Sequence, residues 1–317
     1  IIAMRRLDDT LYSIGPTRNE GYLADRDGHE IYWQDAGNPS GIPLVIVHGG
    51  PGGQSSEGYR RLADGDIYRI IQFDQRGCGR SKPKTSVANN TLQHTIADME
   101  LLRERMGIDT WVVSGGSWGS TVALAYAEAH PERCRGLLLV STWLLRQTEI
   151  DWWFYGVRTI FPELWEAFAD LVPESQRTNL VSAYHRLIFS GDQAVASQAS
   201  RALYLYEEAF MHANAPFSPN NGESGDSYSR IFIHYAANRF FLRENQIIED
   251  SSRIAHLPAI LVTGRYDMCT PPNNAWDLAK VLPKAELRIV PGGGHYPTEH
   301  AMAYECARAS RDLGLML

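Results

Sequence analysis

Residues 111–129 read WVVSGGSWGSTVALAYAEA. Three bulky apolar residues come first, then a run of small residues around Ser117, then an Ala- and Leu-rich stretch with helical spacing. This order predicts a buried strand, a tight turn and a helix. Within it, Gly115-Gly-Ser-Trp-Gly119 matches G-x-S-x-G. Those five letters arise by chance in roughly one in ten chains of this size, so the flanking strand and helix carry the signal. A serine on such a turn has a strained backbone. Small residues two before and two after it keep neighbouring chain segments from colliding, and its hydroxyl is lifted above the sheet edge.

Working outward, apolar runs of strand length recur at 44–47, 70–73, 137–140, 260–262 and 287–290, each bounded by Gly, Pro or charge. Helical spacing lies between them, for example at 95–106 and 121–129. This alternation predicts an α/β fold, a mostly parallel sheet with helices on both faces. Ahead of it, residues 20–36 (EGYLADRDGHEIYWQDA) alternate apolar and polar about Asp27-Gly28, the pattern of a hairpin. Residues 141–245 contain no strand pattern but several amphipathic helical stretches, and four of the eight tryptophans (Trp143, Trp152, Trp153 and Trp165) fall in the first part. The expected organisation is a core of residues 1–140 and 246–317 interrupted by a helical cap at 141–245. An aromatic cap over a sheet edge makes an apolar pocket, although large aromatics also serve simply to pack the cap onto the core. Residues 214–227 (NAPFSPNNGESGDS) read as a turn-rich loop.

Composition narrows the function. The chain has 317 residues, 44% of them hydrophobic and 21% charged, which excludes disordered and low-complexity classes. Thirty Lys and Arg against 37 Asp and Glu give a net charge of −7, with no basic run to follow a phosphate backbone, so nucleic acid is not an expected partner. No apolar stretch is long enough to span a bilayer, and IIAMRRLDDT lacks the apolar block of a signal peptide. The expected protein is cytoplasmic and off the membrane, a monomer or small homo-oligomer. Four scattered cysteines (78, 134, 269 and 306) form neither a disulfide framework nor a metal clip. HExxH, GxxxxGK[ST] and GxGxxG are absent. Neither a metal nor another cofactor is expected, and the chemistry must come from side chains.

A serine hydroxyl needs a base within hydrogen-bond reach and a carboxylate to orient that base. Among ten histidines, His295 stands out, because the glycine loop 292–294 after a late strand holds it at the carboxyl edge of the sheet; His300 lies in the helical stretch that follows. Asp267 reaches the same edge one strand earlier. Asp74 is the rival acid, but it precedes the serine and sits in a turn that suits bracing. Two sources of N–H groups are available to hold an oxyanion. One is Trp118. The other is the loop His48-Gly-Gly-Pro-Gly-Gly53, where Pro51 has no N–H and Gly50 is preferred over Gly49.

Taken together, His48-Gly-Gly-Pro-Gly-Gly, Asp74-Gln-Arg-Gly-Cys-Gly-Arg-Ser81, Gly115-Gly-Ser-Trp-Gly-Ser120, Gly264-Arg-Tyr-Asp267 and Gly294-His295 resemble the prolyl aminopeptidases (proline iminopeptidases) of the α/β-hydrolase fold. The likeness runs from Leu11-Tyr12 through Ala36-Gly-Asn-Pro39 to Ala275-Trp-Asp-Leu278. It implies a serine peptidase with Ser117 as nucleophile, His295 as base and Asp267 as orienting acid, releasing an N-terminal proline or other small or apolar residue from a small peptide or amino-acid-derived substrate. It also implies that Glu207, in Ala202-Leu-Tyr-Leu-Tyr-Glu207, receives the free amino group, with neighbouring Glu208 as the control. Four further positions fall on the family's pocket. Phe232 stands where the family has a second glutamate. Val140 replaces an arginine and Trp143 a phenylalanine, and Trp153 falls where a tyrosine is common. Losing an anion and a cation while gaining larger rings predicts a more apolar acyl pocket, so an amide, ester or lactone hydrolase using the same triad is the alternative. Cys269 matches a family position near the site, either reactive or buried and inert. Epoxide hydrolases and dehalogenases of this fold carry a carboxylate where Ser117 stands.

Overall fold

The computed structural model describes residues 11–13, 15–24, 27–212 and 225–317. The loop expected at 214–227 lies mostly outside them. Among the described residues eight strands form one sheet: β1 (Asn19–Ala24), β2 (Glu30–Gly37), β3 (Ile42–Val47), β4 (Tyr68–Phe73), β5 (Trp111–Ser117), β6 (Cys134–Thr142), β7 (Ala259–Gly264) and β8 (Ala285–Val290). Their spatial order is β1-β2-β4-β3-β5-β6-β7-β8. β1 and β2 are the expected hairpin, and β2 also runs antiparallel to β4. Every pairing from β4 through β3 to β8 is parallel.

Strand alternation sorts the apolar residues into two cores. Leu44, Ile46, Val112 and Val262 point to one side, where they meet Met302, Cys306 and Leu313 of the last helix. Val45, Val47, Val113 and Leu261 point to the other, where Met99, Leu102 and Val122 await them. Helices therefore cover both faces, and strands buried on both sides read as unbroken apolar runs. Helices of eight residues or more are α1 (Leu92–Arg105), α2 (Trp118–Ala129), α3 (Pro162–Ala169), α4 (Leu180–Ile188), α5 (Gln193–Met211), α6 (Asp226–Ala237), α7 (Asn273–Val281) and α8 (His300–Met316).

Between β6 and β7 the described residues form helices and turns alone. α3 to α6 pack on one another around stacked rings: Phe168 lies 4.3 Å from both Tyr184 and Tyr206, centroid to centroid. This helical body rests on the carboxyl edge of the sheet, held by Trp152 Nε1–H donating to the Met268 carbonyl (2.8 Å) and by Tyr235 donating to Asn90 Oδ1 (2.8 Å). The carboxyl edge of an open parallel sheet is where such folds place ligands.

Candidate active site

Ser117 ends β5 with φ 55° and ψ −128°, a conformation that L side chains rarely adopt. The glycines around it explain how the turn closes. A Cβ on Gly115 would lie 2.0 Å from the Gly119 carbonyl oxygen, and one on Gly119 would lie 2.2 Å from that of Val47. The turn is locked from behind by Ser120, whose hydroxyl donates to the Ser117 carbonyl (2.6 Å) and accepts from the Trp143 N–H (3.0 Å).

The loop after β3 packs beside it. A Cβ on Gly49 would touch Gly116 O at 3.2 Å and Ser117 Cβ at 3.4 Å, and Gly50 has φ 127°. His48 fixes this loop, a role the sequence alone did not reveal. Its Nε2 accepts the Gln75 N–H (3.0 Å), which leaves the proton on Nδ1 to donate to the Gly49 carbonyl (2.8 Å). Burial holds the His48 pKa down against the pull of Asp74, in keeping with a neutral ring. Gln75 also accepts from Trp118 Nε1–H (2.8 Å), so one glutamine ties the glycine loop to the first residue of α2.

After β7, Asp267 accepts the backbone N–H groups of Cys269 (3.0 Å) and Thr270 (2.8 Å). His295 Nδ1 lies 2.9 and 3.0 Å from the two Asp267 oxygens, which keeps its proton on Nδ1 and leaves Nε2 free to act as a base. The Thr270 hydroxyl (2.9 Å from Asp267 Oδ2) and the Ser141 hydroxyl, which donates to the His295 carbonyl (2.9 Å), complete the support. Neither was anticipated from sequence. Burial alone would lower the His295 pKa, but the Asp267 carboxylate overcomes it and the net shift is upward. Asp74 contacts neither histidine nor serine of this group. It accepts from the Ser55 N–H (2.7 Å) and Arg80 N–H (2.8 Å) and braces loops, as its turn suggested.

Ser117 and His295 line one cavity of about 710 Å³ together with Gly49, Gly50, Tyr59 and Tyr296 and, from the helical body, Tyr204, Glu207, Glu208 and Tyr228. Among the described residues no hydrogen bond joins the Ser117 hydroxyl to His295; catalytic hydrogen bonds of this kind commonly tighten only around bound substrate. Glu207 is 2% exposed and its Oε2 has no hydrogen-bond partner among the described residues. Burial raises its pKa to about 8, moderated by the nearby Tyr228 hydroxyl, with Glu208 adding to the rise and His295 opposing it.

The other residues expected at the pocket take different places. Trp143, Trp153, Phe232 and Cys269 do not line this cavity but form a layer behind it. Trp153 is wedged among Tyr206, Phe210 and Phe232, with centroids 5.0–5.4 Å away, because its ring fills the space between α5 and α6. Trp143 packs on Phe240 at 5.3 Å. Cys269 is buried, and burial pushes its thiol pKa well above the ordinary value, which suits the inert alternative. Glu208, taken as a control, does reach the cavity: it accepts from the Tyr296 hydroxyl (2.9 Å) and pairs with His212 (3.3 Å).

Comparison with known proteins bears on the fold and the family. Residues 42–299 match the family model described as alpha/beta hydrolase fold. The chain is 43% identical to a proline iminopeptidase of Xylella fastidiosa, covering 95% of this chain and 99% of that protein. It is 39% identical to the proline iminopeptidase of Neisseria gonorrhoeae, covering 96% and 98%. Among solved structures, the proline iminopeptidase-related protein of Thermus thermophilus superposes with a TM-score of 0.58 over 93% of this chain and 99% of that one; at 21% identity it speaks to the fold alone. With full-length relatives at this level of identity, the chain belongs to the proline iminopeptidase family of α/β hydrolases.

Proposed function

We propose that this chain is a serine aminopeptidase that removes one N-terminal residue from small peptides or related amides through an acyl-enzyme. In this reading Ser117 Oγ attacks the carbonyl carbon of the first residue while His295 Nε2 takes the hydroxyl proton. The imidazolium, held by Asp267, then gives that proton to the leaving amine. The N–H groups of Gly50 and Trp118 hold the oxyanion, and water activated by His295 releases the acid. Residues 1–140 and 246–317 supply this machinery and residues 141–245 act as the cap.

The observation that carries the reading is Glu207, a buried carboxyl with an unpartnered oxygen on the wall of the cavity that Ser117 and His295 share. A lone buried anion is costly, so the side chain holds its proton until a cation arrives. The ammonium of a free N-terminus supplies that cation, and blocked substrates do not. Phe232, buried where the family has a second glutamate, favours a second reading: a hydrolase of amino-acid amides, esters or lactones with apolar acyl groups.

A panel of aminoacyl anilides, amino-acid amides and short acyl esters, each beside its N-blocked counterpart, separates the two. Aminopeptidase function is expected to show as hydrolysis restricted to free-amino substrates. Glu207→Gln should then reduce kcat/KM on those substrates about a hundredfold and leave simple esters little changed. Equal rates on blocked and free substrates would abandon the aminopeptidase reading in favour of the esterase. Ser117→Ala should abolish turnover and fluorophosphonate labelling; a mutant still labelled would remove Ser117 from the mechanism.

A further inference from the structure

A second, smaller cavity lies directly beneath the turn that presents Ser117. It measures about 20 Å³, room for one water molecule or a methyl group, and is walled by Leu44, Ile46, Leu138, Val140 and Cys306 with Gly116 at its roof. It belongs to the core between the sheet and α8, whereas the larger cavity lies at the sheet edge. Tyr59 lines both.

The position of Tyr59 makes it a partition. Its N–H donates to Ser56 Oγ (3.2 Å), which caps the short turn Glu57–Arg60 and fixes the backbone. Its ring lies against Gly116, where an added Cβ would stand 3.6 Å from Cε1. Its hydroxyl has no hydrogen-bond partner among the described residues, and the side chain borders the small chamber together with Cys306 and the large one together with Tyr296. A ring held at its base and untied at its tip can rotate or be trimmed without breaking a polar network. What lies behind it is apolar apart from the thiol and Ser114.

We propose that Tyr59 is a specificity-determining residue: it closes an apolar chamber next to the nucleophile, and with the ring out of the way that chamber takes an unbranched apolar chain attached to the reacting carbonyl. The chain can enter as part of the acyl group or of the leaving alcohol, and the two are read separately. This rests on Ser117 as nucleophile but not on Glu207 or on any preference for proline.

The test compares wild type, Tyr59→Ala, Tyr59→Leu and Tyr59→Phe on two ester series, one lengthening the acyl chain from acetyl to octanoyl and the other lengthening the alcohol. Within each enzyme the readout is the long-to-short ratio of kcat/KM. Two additional buried methylenes are together worth about tenfold, so that ratio is expected to rise about tenfold in Tyr59→Ala, less in Tyr59→Leu, and to stay at the wild-type value in Tyr59→Phe. The series in which the rise falls assigns the chain to the acyl or the alcohol side. Adding Cys306→Met to Tyr59→Ala fills the chamber from its far wall and should take the gain away. Fluorophosphonate labelling of Ser117 in each variant reports the nucleophile independently. Labelled variants with ratios unchanged in both series overturn the proposal, as does a gain that survives Cys306→Met. Loss of labelling in wild type would instead overturn the assignment of Ser117.

Discussion

Glu207 couples the site to the stability of the whole chain. Its pKa rises from the usual 4.5 in an unfolded chain to about 8 in the folded one, burial being the chief cause. A carboxyl whose folded value is raised favours the native state fully below the unfolded pKa, and that contribution is lost as pH climbs to the folded value. Wild type is therefore expected to lose a few kcal/mol between about pH 4.5 and 8 through this one group, and Glu207→Gln should flatten the slope across that window. Denaturant titrations of both proteins at pH 5 and pH 8 check it: a difference between them that does not change with pH would mean the carboxyl is ionised or solvated in the native state. Residues of this kind differ in how far sequence exposes them. Ser117, Asp267 and His295 each follow an apolar run with Gly around it, a local signature. The roles of His48 and Ser141 come instead from partners 27 and 154 positions away, and Thr270 matters only because Asp267, three positions before it, meets His295 28 positions further on. The ring layer behind the cavity is illegible in the sequence for the same reason: a list of aromatics does not say which of them faces a void.

At the scale of elements, apolar runs mark strand centres and miss strand ends. β5 continues four residues past Val113 through Ser114, Gly115, Gly116 and Ser117, because backbone pairing with β3 and β6 needs no side chain. β6 likewise continues past Val140 to Thr142, into residues that read as the beginning of the cap. The glycines there are steric requirements. Gly119→Ala would place a methyl 2.2 Å from the Val47 carbonyl oxygen, and neither backbone can retreat. The variant is expected to lose activity at least a hundredfold even where it folds, since displacing α2 moves the Trp118 N–H and Ser117 together; near-normal kcat with a wild-type melting curve would show that the turn is not tightly packed. The opposite end of α2 carries Glu128, 3% exposed, with neither carboxyl oxygen hydrogen-bonded among the described residues and a pKa pushed up to about 9, chiefly by burial. Exchanging it for an apolar residue of similar length removes that desolvation cost, so Glu128→Met should stabilise the protein by about 1–2 kcal/mol at neutral pH. A lower denaturation midpoint in the variant would mean that the carboxyl is satisfied after all.

The molecule as a whole depends on a seam between sheet edge and helical body, and that seam was the least legible part of the sequence. Its helices were expected, but their contacts join residues more than a hundred positions apart. Asn90 is the clearest example. It is 1% exposed, and its Nδ2 donates to the carbonyls of Arg76 (2.9 Å) and Ser86 (2.8 Å). Its Oδ1 accepts from Tyr235, and its carbonyl lies 2.9 Å from His234 Nε2, both on α6. One side chain thus satisfies the core loop and anchors the helix that begins beside the glycine loop, where a Cβ on Gly52 would lie 2.6 Å from the Tyr228 carbonyl oxygen. Tyr235→Phe leaves Asn90 Oδ1 buried and unpaired, at an expected cost of about 1–3 kcal/mol. Asn90→Ala should cost more, since it also strands the Tyr235 hydroxyl and two core carbonyls. In the double variant the two costs should not add, because the hydrogen bond each removes is the same one. Kinetics supply a separate check. Ser117, Asp267 and His295 stand on the core side of the seam and Glu207 on the other, so a loosened α6 should raise KM for free-amino substrates more than it lowers kcat. Fully additive stability losses, or a fall in kcat at constant KM, would show that this hydrogen bond does not hold the cap in register with the core.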